Sequence, residues 1–101
     1  MKYISLLFFG LILIFVGIIN IKGDISTVHW YNRARVTKAD APKYGKAMGS
    51  GILIVGASIA LTAILQMIFD FEPLFWIAAA GTAAGAAVIL FAQFKYNRGI
   101  F

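Results

Sequence analysis

The stretch Ala47 to Phe69, AMGSGILIVGASIALTAILQMIF, decides how this chain must be read. It runs 23 residues without a charge. As an α-helix, at about 1.5 Å per residue, it reaches roughly 34 Å, enough to cross a hydrocarbon layer about 30 Å thick. Lipid offers backbone N–H and C=O groups no partner, so a helix, which pairs them internally, is the state such a run must take. A membrane β-barrel would need segments of about ten residues alternating between polar and apolar, and this run does not alternate.

Two further runs flank it. Tyr3 to Ile21, YISLLFFGLILIFVGIINI, holds 19 residues without a charge, and Leu74 to Phe94, LFWIAAAGTAAGAAVILFAQF, holds 21. The expected fold is therefore an all-α membrane protein: three transmembrane helices in a small bundle, forming a single membrane domain over residues 1–101. The spans lie at about 3–21, 47–69 and 74–94, with a loop over 22–46. Composition agrees. The chain is 61% hydrophobic and 13% charged, against about 45–50% and about 25% in soluble domains. So small and apolar a chain has too little polar surface to coat a water-soluble globule. The first run exceeds the apolar core of a secretory signal and no small-x-small cleavage site follows it, so it reads as a retained anchor.

Charge sets the expected orientation. The loop from Lys22 to Lys46 carries six basic residues and two acids, and the C-terminal tail adds Lys95 and Arg98. The short connection Asp70 to Pro73, DFEP, has two acids and no base. One side collects eight Lys and Arg; the other has Lys2 alone. The positive-inside rule places the long loop and C-terminus in the cytoplasm and the N-terminus outside, in a cytoplasmic (inner) membrane. The net charge of +5 then speaks of topology and anionic lipid rather than nucleic acid.

The short connection forces the second and third spans into an antiparallel hairpin. Pro73 suits the first turn of the third span, and Asp70 and Glu72 favour its positive dipole end. In the long loop, Thr37 and Asp40 have capping-box spacing; alternatively Asp40 caps directly, with Ala41 and Pro42 opening a helix continuous with the second span. Trp30, Tyr31, Arg33, Arg35, Lys38, Lys43, Tyr44 and Lys46 are the candidates for lipid or partner contact: aromatic belt residues and snorkelling or phosphate-pairing cations. His29 could serve as a proton relay, metal ligand or pH sensor, but it has neither a second His nor a Cys at ligand spacing and is read as an interface residue beside Trp30.

Within lipid, small residues let helices approach closely. Gly81 and Gly85 form a GxxxG in the third span; Gly49 and Gly56 are seven apart in the second, as are Gly10 and Gly17 in the first. These predict helix packing, with the second and third helices closest, and leave small faces that could support homo-oligomerisation. Ser58, Thr62 and Gln66 recur every fourth residue, a polar seam read as interhelical glue or, alternatively, as the lining of a path.

No span contains Asp, Glu, Lys, Arg or His, the groups that ion-coupled transport normally requires. Cysteine is absent, and no phosphate loop, nucleophile elbow or HExxH occurs. No catalytic, cofactor or metal residues are therefore expected, nor an enzyme.

The junction HWYNRARVTKADAPKYGKAMG, His29 to Gly49, resembles that of a family of small bacterial multi-span membrane proteins of unknown function. The likeness extends over Gly23 to about Leu65. It implies no activity, and points to Asn32, Arg33, Arg35, Asp40, Tyr44, Gly45 and Gly49 as the positions to test. The expected function is that of a non-enzymatic interaction or accessory subunit contacting anionic headgroups, itself, or another membrane protein. The alternatives are a homo-oligomeric channel or small-solute transporter, and immunity or protection against a membrane-active peptide.

Overall fold

The structure is a computed structural model and describes residues 3–22 and 39–97. Helix α1 spans Ile4–Ile21, α2 spans Ala41–Phe69, a 3-10 turn covers Glu72–Leu74, and α3 spans Phe75–Tyr96. All three helices are long and apolar enough to cross a membrane, and they form the expected all-α three-span bundle. Helix α2 starts six residues before the uncharged run, so Ala41 to Lys46 adds a charged extension to the span.

Polar and apolar positions are reversed relative to a water-soluble protein. Phe8, Phe15, Ile68 and Trp76 are 59%, 64%, 65% and 76% exposed, whereas Asn20, Thr62, Gln66 and Asn97 are at most 1% exposed. Large apolar side chains outside and amides inside is the arrangement that lipid, not water, stabilises.

Helix α2 is the centre. Helices α1 and α3 each run antiparallel along it, and they meet each other at their leading ends, where the Tyr3 and Phe75 rings lie edge to face at 6.0 Å. Gly10 faces Gly56, and Gly17 faces Gly49. A Cβ at Gly10 would lie 2.7 Å from the Ala60 nitrogen, and one at Gly17 would lie 2.8 Å from the Gly49 carbonyl oxygen. On the other side Gly85 faces Gly51 and Gly81 faces Ser58. Between α1 and α2 the spacing of seven on both partners keeps the two pairs in register, because a heptad returns to nearly the same face of a helix. The second and third helices are thus no closer a pair than the first and second, contrary to the expectation from the small residues: α1 meets α2 backbone to backbone just as tightly.

The ends are built locally. Asp40 occupies the N-cap position of α2, with Pro42 in the first turn, but its side chain makes no capping hydrogen bond; Thr37 lies outside the described residues. Helix α2 ends at Asp70, whose φ of 46° is left-handed and whose N–H donates to the Gln66 carbonyl at 2.9 Å. A left-handed residue closing a helix is usually Gly; Asp tolerates it better than most side chains.

Candidate functional site: two charged ends and a buried polar seam

The antiparallel packing gathers the charges described into two groups. Lys22 at the end of α1, Lys43 and Lys46 at the start of α2, and Lys95 at the end of α3 share one end with Asp40. Asp70 and Glu72 lie at the other, in the connection between α2 and α3.

At the acidic end, the Tyr3 hydroxyl donates to Asp70 Oδ1 at 3.0 Å. Tyr3, Asp70, Glu72 and Phe75 line a cavity of about 350 Å³ there.

At the basic end, Lys43, Lys46, Ala47 and Ser50 of α2 and Tyr96 of α3 line a second cavity of about 380 Å³. The Ser50 hydroxyl donates to the Lys46 carbonyl at 2.7 Å. Tyr96 is held edge-on to Phe91, at 6.5 Å and 89°. Lys95 Nζ sits 5.3 Å from the Phe91 ring and 5.6 Å from the Tyr96 ring, within cation–π range.

Inward from this cavity is a buried polar group that sequence reasoning placed elsewhere. Tyr44 was assigned to headgroup contact; instead it is fully buried, and its hydroxyl donates to Gln93 Oε1. The reason is helical register. Tyr44 lies seven residues before Gly51 and fourteen before Ser58, so it shares their stripe and faces α3. Asn97, one turn beyond Gln93, is also fully buried and was missed. Its signal was the i, i+4 spacing from Gln93. Asn20 brings a third helix's amide to this end.

The polar seam of α2 is packed, not open. Ser58 Oγ donates to the Val55 carbonyl at 2.8 Å and Thr62 Oγ1 to the Ser58 carbonyl at 2.7 Å, both within α2. These hydroxyls bond their own helix, the usual recourse of Ser and Thr in membrane helices, rather than acting as the interhelical glue expected. Gln66 is 1% exposed and neither side-chain polar atom has a partner.

Gly49, Gly56, Gly81 and Gly85, the predicted packing positions, all abut a neighbouring helix. His29, Trp30, Tyr31, Arg33, Arg35 and Lys38 lie outside the described residues. Among the described residues no cluster of His, Asp and Glu could hold a metal ion. No family model, curated protein or solved structure matches the chain.

Proposed function

We propose that the chain is a small multi-pass protein of the cytoplasmic membrane that acts as a non-enzymatic interaction or accessory subunit. Its N-terminus lies outside, and its basic end rests on anionic headgroups in the cytoplasm. The observation supporting this reading is the separation of charge along the bundle: Lys22, Lys43, Lys46 and Lys95 at one end, Asp70 and Glu72 at the other. Basic residues at a span's end favour retention on the cytoplasmic side and attraction to an anionic leaflet. Tagged protein captured in native nanodiscs should carry a stoichiometric membrane partner, lost when Arg33 and Arg35 are changed to Gln. Recovery of the chain alone from every nanodisc preparation overturns the subunit role.

A second reading, a homo-oligomeric channel or small-solute transporter, draws on the unpartnered amide of Gln66 beside Thr62. Purified protein in liposomes decides between them: solute flux that disappears in Thr62→Leu and Gln66→Leu selects the channel. Protection against a membrane-active peptide remains a separate role, which the sensitivity of a deletion strain tests.

A further inference from the structure

One exposed strip of α2 changes character along its length. Lys43, Lys46, Ser50, Ile54, Leu61 and Ile64 follow one another at helical spacings of three, four or seven and so share a face. Neither neighbouring helix covers it: Ile54, Leu61 and Ile64 are 38%, 48% and 44% exposed, and both lysines are exposed. The strip starts with two cations, passes through a hydroxyl, and continues as bare aliphatic surface. Beside its polar part lies the open depression of about 380 Å³ that Tyr96 also lines. Ala47, a small residue, also lines it.

The geometry points to a seat for a single anionic phospholipid. Its phosphate sits between Lys43 and Lys46 against Tyr96, and an acyl chain lies along Ile54 and Leu61. The order of the strip matches that of the lipid: negative headgroup, polar backbone, then hydrocarbon. The lysines sit just beyond the uncharged run, at the depth where a headgroup phosphate lies. A free phosphate would satisfy the cations but leave the aliphatic strip unused, so the lipid is the occupant assigned. This site rests on the reading of the basic end as membrane-facing, and makes it local: the groove, not the loop, selects the headgroup.

The test is native mass spectrometry of the full chain in detergent, titrated with phosphatidylglycerol, with phosphatidylcholine of the same acyl chains, and with inorganic phosphate. Wild type should retain phosphatidylglycerol in preference to phosphatidylcholine. Lys43→Gln/Lys46→Gln should weaken that binding roughly thirtyfold, from the usual contribution of each basic residue near an anionic surface. Ser50→Trp, which keeps both charges and fills the cavity, should weaken it as well. Arg33→Gln/Arg35→Gln, with two charges removed from the loop, should weaken it less than the groove pair does. The groove variants alter exposed or half-buried positions, and circular dichroism checks that each keeps its helix content. If the loop variant loses the preference and the groove variants keep it, the seat is overturned while the lipid-contacting basic end survives. Absence of any preference in wild type overturns both. Displacement of the lipid by inorganic phosphate at equal concentration overturns the assignment to lipid.

Discussion

Gln66 sets the sharpest expectation at the residue scale. Burying an amide without a hydrogen bond costs about 1–3 kcal/mol by mutational measures. Gln66→Met, close in volume and free of that demand, should therefore raise the stability of the bundle, read as a higher midpoint in detergent unfolding. A lower midpoint would mean that the amide is satisfied by a group that the fold has yet to reveal. Asp70 gives a second expectation. Its left-handed backbone costs a β-carbon about 1–2 kcal/mol, and its carboxylate accepts from Tyr3. Asp70→Gly relieves the backbone and loses the bond; Asp70→Ala loses the bond and keeps the strain. Ala should be the less stable of the two in the same assay. A third concerns Gly81, where a Cβ would run into the Ser58 side chain. Gly81→Ala should destabilise, and Ser58→Gly in the same chain should recover part of the loss, a coupling that a double-mutant cycle measures.

At the scale of the element, α2 carries two small-residue stripes, one for each neighbour. Gly49 and Gly56 serve α1; Gly51 and Ser58 serve α3. A Cβ at Gly49 would strike the Gly17 carbonyl oxygen and come within 2.7 Å of the Ile21 nitrogen. Backbone cannot step aside as a side chain can, so Gly49→Ala should destabilise by about 1–3 kcal/mol, the usual cost of overpacking. Ala57→Leu, on the exposed face of the same helix, should be neutral, and equal losses in the two would refute the stripe. The existence of the three helices was legible because lipid leaves a long uncharged run no other conformation. The spacing of seven in Gly10/Gly17 and Gly49/Gly56 was legible too; that one pair seats the other was not, since small residues announce close packing without naming a partner. Tyr44 misled because a tyrosine between lysines has the composition of an interface belt. Only its phase relative to Gly51 and Ser58 tells that it turns inward. The hydroxyls of Ser58 and Thr62 were read as cross-helix donors, and helix geometry gave each a nearer acceptor on its own helix.

At the scale of the molecule, the uneven ends make orientation the central measurement. The chain has no cysteine, so single-cysteine variants need no background removal. Phe71→Cys, in the acidic connection, should react with a membrane-impermeant maleimide added to intact cells. Ala39→Cys, just before α2, should react only after the cells are opened. The opposite pattern reverses the topology and moves the lysine groove to the outer leaflet. The lipid seat depends on this scale as well as on its own residues, since a groove meets an anionic headgroup only on the leaflet that supplies one.

The central position of α2 bears on how the protein can be divided. Helix α1 grips it through Gly10 and Gly17, while α2 and α3 are tied by a connection of a few residues. The polypeptide could therefore be severed between Lys22 and Ala39 and expressed as two fragments. Each would insert independently, and the glycine notches would rejoin them by lateral encounter in the bilayer, reconstituting from two genes what one ordinarily encodes.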